Sequence, residues 1–296
     1  MNNRTTPADG ENEAGQTRSG FVALIGAPNA GKSTLVNQLV GTKVSIVTHK
    51  VQTTRALVRG IFIEGQAQIV LVDTPGIFRP KRRLDRAMVT TAWGGAKDAD
   101  IILVLLDSQG GLNENAEALL ASMKDVRQKK VLVLNKVDRV DPPVLLDLAR
   151  KANELVAFDQ TFMISALNGS GCKDLAKYLA ESVPNGPWYY PEDQISDMPM
   201  RQLAAEITRE KLYLRLHEEL PYSSTVETER WEERKDGSVR IEQVIYVERE
   251  SQKKIVLGHK GETIKAIGQS ARKEIAEILE QTVHLFLFVK VRENWG

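Results

Sequence analysis

The segment Gly26-Ala27-Pro28-Asn29-Ala30-Gly31-Lys32-Ser33 constrains this chain more than any other, because it fits the spacing G-x-x-x-x-G-K-S of a phosphate-binding loop. The apolar run Phe21 to Ile25 before it predicts a buried strand, and Thr34 to Val40, closed by Gly41, predicts a helix. In that context the glycines let the backbone curl until its N–H groups point at a phosphate, and the helix N-terminus adds partial positive charge. Lys32 is placed to reach the β- and γ-phosphates, and the Ser33 hydroxyl to ligate magnesium. A Gly-rich turn can also bind nothing, but strand, loop, Gly-Lys-Ser and helix in register weigh against that.

Composition excludes several other classes. With 296 residues, 42% hydrophobic and 27% charged, the chain can bury one large or two ordinary cores. The net charge of +1 hides a split, since residues 188–296 hold 17 Lys and Arg against 20 Asp and Glu. Neither half is therefore a simple polycation. The single cysteine, Cys172, rules out an internal disulfide and a cysteine-based zinc site, and suits a reducing cytosol. Residues 1–19 lack an apolar run and read as a disordered leader, and no window approaches the roughly 18 apolar residues of a spanning helix.

Past the first helix, residues 42–59 are basic and contain Gln52-Thr53-Thr54-Arg55. Two β-like runs, 56–63 and 67–72, read as a hairpin that delivers Asp73-Thr74-Pro75-Gly76 at its end. An aspartate leaving a strand there can hold magnesium through water, while the Gly76 N–H can approach a γ-phosphate. Apolar strand, helix and strand then alternate to Asn135-Lys136-Val137-Asp138 and to Ser165-Ala166, predicting an α/β domain with a mainly parallel sheet over residues 20–182. The Asp138 carboxylate can accept from both the N1–H and the 2-amino group of guanine, which adenine does not offer. Asn135 is placed to brace the loops, the Lys136 stem to cover the base, and Ser165-Ala166 to give a backbone N–H to guanine O6.

These four motifs, each after a strand, resemble a translation-factor-class GTPase, and Gln52-Thr53-Thr54-Arg55 resembles the switch-I signature of the Era and TrmE group. The resemblance implies GTP/GDP as ligand, with Thr54 or its neighbour Thr53 meeting the magnesium ion. Ile77 stands where many small GTPases carry a water-orienting glutamine, which implies slow intrinsic hydrolysis. In similar GTPases the residue at the place of Asn29 helps hold K+, so Asn29 joins Lys32, Thr54 and Gly76 as a catalytic candidate.

A Pro-rich connector over 183–199 implies a fixed relation to a second unit, 200–296. There a helix over 201–220, two strands joined through Asp236-Gly237, further helices and a last strand over 283–291 give an α-β-β-α-α-β order. Gly258-His259-Lys260-Gly261, between an apolar run read as a strand ending at Leu257 and a helix opening at Glu262, resembles the RNA-gripping loop of a KH domain. Ile264 and Ile267 are placed to line its groove. Lys253, Lys254, Lys260, Lys265, Arg272 and Lys273 face a single Glu262 within 251–273, which suits a short unpaired strand. G domain, linker and type II KH domain together resemble the Era family. That implies a cytoplasmic monomer bound to the 3′ end of small-subunit ribosomal RNA and acting in assembly of the small ribosomal subunit, with peripheral contact at the membrane. Basic residues Arg55 and 81–83 could serve RNA or the linker. The alternatives are a membrane-surface switch whose second domain binds protein or lipid, and a TrmE-like tRNA-modification enzyme, for whose folate region no stretch is left.

Overall fold

The structure, a computed structural model, describes residues 17–50, 53–77, 83–216 and 220–292. The N-terminal half forms one sheet from β1 (Arg18–Gly26), β2 (Val58–Glu64), β3 (Ala67–Asp73), β4 (Ile101–Asp107), β5 (Lys129–Asn135) and β6 (Gln160–Ile164). Their order is β2-β3-β1-β4-β5-β6, and every pairing is parallel except the β2–β3 hairpin. Successive strand side chains point to opposite faces. Leu24, Leu71 and Leu103 therefore pack under α1 (Lys32–Val40) and α5 (Cys172–Ser182). Ile25, Val104 and Leu134 pack under α2 (Arg83–Lys97), α3 (Glu114–Met123) and α4 (Pro142–Leu155). All seven residues of β3 are buried, as a strand covered on both faces requires.

Strand β1 begins at Arg18, earlier than the apolar run indicates, so residues 18 and 19 belong to the sheet and not to a leader. Arg18 pairs with Ala67, and Gly20 fits because it lacks a Cβ, which would lie 2.8 Å from Val183. Polar and glycine residues carry no hydrophobic signal, so only the pairing reveals them. The linker is strapped along this sheet. Ser19 N–H donates to Pro184 O (3.1 Å), Ile61 N–H to Ile195 O (2.8 Å), and buried Gln68 accepts from the N–H groups of Tyr189 and Tyr190. Arg59 pairs with Asp197 at 2.6 Å.

The second unit is a three-stranded sheet, β7 (Ser224–Glu233), β8 (Val239–Val247) and β9 (Val283–Val291), with α6 (Met200–Arg215), α7 (Glu250–Leu257) and α8 (Glu262–Leu279) on one face. β7 and β8 are antiparallel, β8 and β9 parallel. The apolar run before Gly258 is thus helix α7, not a strand. The Gln252 side chain accepts from the N–H groups of Glu248 and Arg249 and caps that helix, and only Val256 of it is buried, which is one face of a turn. Residues 262–279 form one helix where the sequence suggests two pieces.

Candidate functional site

The loops after β1, β3, β5 and β6 open on one edge of the sheet, where β1 lies between β3 and β4 and the winding reverses. They enclose a cavity of about 550 Å3 lined by Pro28, Asn29, Gly31 to Thr34, Thr54, Gly76, Asn135, Lys136, Asp138, Ser165 and Ala166. Gly26 and Ala27 supply carbonyls to the Lys32 ammonium at 3.2 and 3.1 Å. Gly31 adopts φ 97°, and a Cβ there would lie 2.1 Å from the Asn135 amide. Burial lowers the Lys32 pKa to about 8, against the opposing pull of Asp73. A cation held only by carbonyls is ready to exchange them for phosphate oxygens.

Asp73 is fully buried at the end of β3. Its Oδ2 accepts from Ser33 Oγ (2.6 Å), Ser45 Oγ (2.7 Å) and, more weakly, Thr54 Oγ1 (3.5 Å), and the Ser33 and Thr54 hydroxyls lie 3.0 Å apart. Its Oδ1 is buried without a hydrogen-bond partner. Two hydroxyls beside a carboxylate form a hard oxygen donor set that fits Mg2+, and a buried bare oxygen fits one that carries a metal-bound water. Burial raises the Asp73 pKa, opposed by the hydroxyl donors and Lys32. Thr53 turns its hydroxyl away, to Thr48 Oγ1 and Lys50 O, so Thr54 is the threonine that faces this cluster.

Thr74 Oγ1 donates to Leu24 O (2.6 Å), and Ile77 N–H to Gly26 O (3.0 Å), tying the Thr74-Pro75-Gly76 turn to the phosphate loop. A Cβ on Gly76 would sit 2.8 Å from the Pro28 nitrogen. Asn29, at φ 62°, donates its side-chain amide to His49 O at 2.9 Å.

At the base end, Asn135 donates to Ala30 O (2.8 Å) and accepts from Ala166 N–H (2.9 Å), which locks three loops together. Lys136, at φ 67°, reaches Asp107 at 2.6 Å. A hydrogen bond from the Ser165 side chain, then one from its own backbone N–H and the nearby Arg139 charge, hold the Asp138 carboxyl below its ordinary range against the effect of burial. One expectation changes here. Ser165 N–H donates to Ser170 O and Ala166 N–H to Asn135, so neither stands open to guanine O6. An N–H makes one strong bond, and contact with the base requires the Ala166 bond to be shared. Sequence reasoning also missed Leu167, 71% exposed on the cavity rim, and Ser45 on Asp73. Neither belongs to a spaced motif, so no sequence signal marks them.

Residues within 43–50 and 53–55 are clasped by the second unit, chiefly by α6. Glu210 accepts from Lys43 (2.7 Å) and Val47 N–H (2.8 Å), and Lys43 also pairs with Glu274 on α8. Lys50 donates to the carbonyls of Tyr213 and Leu216, at the C-terminal end of the α6 dipole. Arg209 donates to Thr53 O at 2.6 Å, while Arg55 donates to Tyr213 Oη (2.7 Å) and Ser224 O (2.9 Å). Arg55 thus serves the domain contact, and Gln52, Lys81 and Arg82 lie outside the described residues.

On the second unit, Gly258 (φ 74°), Lys260 (φ 50°) and Gly261 (φ 80°) form the tight turn between α7 and α8. A Cβ on Gly258 would lie 2.2 Å from Thr263 Oγ1. Lys254, His259, Lys260 and Lys265 are exposed around the turn, with Lys253 half-buried. Ile267, expected in the groove, is fully buried among Leu212, Ile245 and Val256. Ile255, 57% exposed on α7, is the apolar side chain beside the turn, with Ile264 half-buried.

Residues 21–136 match the 50S ribosome-binding GTPase family and residues 219–296 the KH domain family. The chain is 93% identical over 296 residues to the GTPase Era of Brucella suis, covering 100% of this chain and 95% of that one. It is 73% identical to the GTPase Era of Agrobacterium fabrum, covering 100% and 94%. It superposes at TM-score 0.90 and 38% identity on the crystal structure of Era in complex with MgGDPNP and nucleotides 1506–1542 of 16S ribosomal RNA, covering 94% and 95%. The same score, identity and coverage hold for an Aquifex aeolicus Era variant bound to GDP and aluminium fluoride. With a phosphate loop, an Asn-Lys-x-Asp base loop and a Gly-x-x-Gly turn set on a P-loop domain followed by a KH domain, the chain belongs to the Era family of GTPases.

Proposed function

We propose that this protein is a GTP-hydrolysing switch that grips the 3′ end of small-subunit ribosomal RNA and acts in assembly of the small ribosomal subunit. The observation that carries the reading is the clasp between switch I and the KH domain. Thr54, facing Ser33 and Asp73, sits one peptide from the Thr53 carbonyl that Arg209 of α6 holds. A γ-phosphate that reorders Thr54 therefore pulls on the helix against which the KH core packs.

In the nucleotide site, Lys32 leaves the loop carbonyls for the β- and γ-phosphates, Gly76 N–H approaches the γ-phosphate, and Asp138 reads guanine. Ser33, Thr54 and Asp73 hold Mg2+, which supplies charge neutralisation at the phosphates. Ile77 cannot orient the attacking water, so a second cation is assigned to Asn29. Its amide nitrogen holds the switch through His49, and its oxygen is the atom a K+ ion takes. Equal turnover in K+ and Na+, with unchanged activity in Asn29→Ala, would remove that assignment. Gly258, His259, Lys260, Gly261, Lys253, Lys254 and Lys265 bind the RNA backbone. The protein works in the cytoplasm; among the described residues no helix is long and apolar enough to cross a membrane.

The test is GTP turnover and binding with a short single-stranded RNA matching the rRNA 3′ end. Binding is expected, to be lost in Gly258→Asp and Lys260→Asp while GTP affinity stays. Absence of RNA binding by the unaltered protein would overturn the ribosomal reading.

A further inference from the structure

Asp73 receives three hydroxyls on one oxygen, and two of these belong to the residues that hold Mg2+. On the assignment of Ser33 and Thr54 to Mg2+, both hydroxyls would turn from Asp73 to the metal when it binds. The third, Ser45, has no such duty. It is 2% exposed, and its Oγ donates to Asp73 Oδ2 at 2.7 Å.

What fixes Ser45 is α1 itself. The Asn37 side chain, one turn beyond Ser33 on that helix, accepts from the N–H groups of Val44 and Ser45, both at 2.9 Å, and donates to Ser45 O at 2.7 Å. Asn37 thereby fastens the start of switch I to the helix that carries the phosphate loop. The KH unit holds residues on either side of Ser45, Lys43 before and Val47 and Lys50 after. Ser45 itself is held by α1 through both its N–H and its carbonyl, so its hydroxyl is kept on Asp73 by a tether within the nucleotide-binding domain.

We infer that Ser45, tethered by Asn37, is a positioning residue for the Mg2+ site: it fixes the Asp73 carboxylate through Oδ2 so that the bare Oδ1 faces the metal-bound water. The inference rests on the assignment of Ser33, Thr54 and Asp73 to Mg2+. A carboxylate held at one oxygen loses a rotation that it would otherwise surrender on metal binding, and outer contacts of this kind contribute about 10- to 100-fold in metal affinity.

The experiment measures release of a fluorescent GDP from the full chain as a function of Mg2+ concentration, and again in excess chelator, for the unaltered protein, Ser45→Ala and Asn37→Ala. The expected result is a rise of about 10-fold or more in the Mg2+ concentration that halves the release rate for Ser45→Ala. Release in chelator should stay unchanged. Asn37→Ala should give a shift of the same sign, and the double variant less than the product of the two. An unaltered Mg2+ midpoint in Ser45→Ala overturns the inference, as does a release rate raised equally with and without Mg2+, which is the mark of a merely structural serine. Should Ser45→Ala fail to fold, a normal midpoint in Asn37→Ala overturns it. If release from the unaltered protein ignores Mg2+ altogether, the metal assignment itself has failed, a result distinct from either.

Discussion

Arg209→Met removes the contact nearest Thr54 among those through which the KH domain holds the switch. Arg209 lies on α6, is buried, is gripped by Glu206, stacks over the Tyr213 ring at 5.1 Å, and donates to Thr53 O at 2.6 Å. Methionine keeps the length and apolar contacts of the stem but removes the bond to switch I together with the charge that pairs with Glu206. A hydrogen bond from a charged donor contributes about 1.5–3 kcal/mol. If it is made in one nucleotide state and broken in the other, it accounts for a change of about 10- to 150-fold in RNA affinity between them. RNA affinity should therefore be measured in the GDP-bound and GTP-analogue-bound forms, by titration of a labelled 3′-end oligonucleotide. Arg209→Met is expected to bring the ratio between the two states toward one. By linkage, the effect of RNA on GTP-analogue affinity falls by the same factor. A variant that folds and keeps the unaltered ratio would refute the Arg209–Thr53 bond as the coupling element.

Three further outcomes follow from the nucleotide site. Asp138→Asn replaces an acceptor with a group that presents a donor to guanine N1–H, so affinity for GTP should fall by about 100-fold or more, with xanthosine triphosphate gaining; competition binding with both nucleotides checks this. The Lys32 pKa of about 8 lies below the ordinary lysine value of 10.5, so between those pH values the nucleotide-free protein binds fewer protons than the unfolded chain and its stability rises with pH. Phosphate binding takes that proton back, so GTP affinity should decline above pH 8 by up to about tenfold per pH unit, and a flat profile in calorimetric titrations would contradict it. Gly76→Ala places a methyl 2.8 Å from the Pro28 backbone, which must part the turn from the phosphate loop; single-turnover hydrolysis should fall while GDP affinity changes little.

Much of the site was legible because its chemistry depends on local backbone. The spacing of Gly26, Gly31, Lys32 and Ser33 sets one loop, and Asn135-Lys136-Val137-Asp138 sets another, each after a strand that an apolar run announces. Less legible was anything decided by pairing or packing. Residues 18–20 join β1 through partners distant in sequence, and the end of α7 reads as a strand because a three-residue apolar run fits either period. Ile267 and Ile264 differ by less than a helical turn, and only the sheet beneath α8 decides which is core.

The sequence by itself determined that a nucleoside triphosphate binds, that its base is guanine, and that a Gly-x-x-Gly turn follows on a second unit, since each rests on a few residues close in the chain. Only the tertiary structure decided which threonine faces Asp73, that Ser45 shares its carboxylate, and that the basic residues Lys43, Lys50 and Arg55 reach the second unit. Side chains more than 150 residues apart meet there, and no local pattern records which of several exposed cations the folded chain will bury.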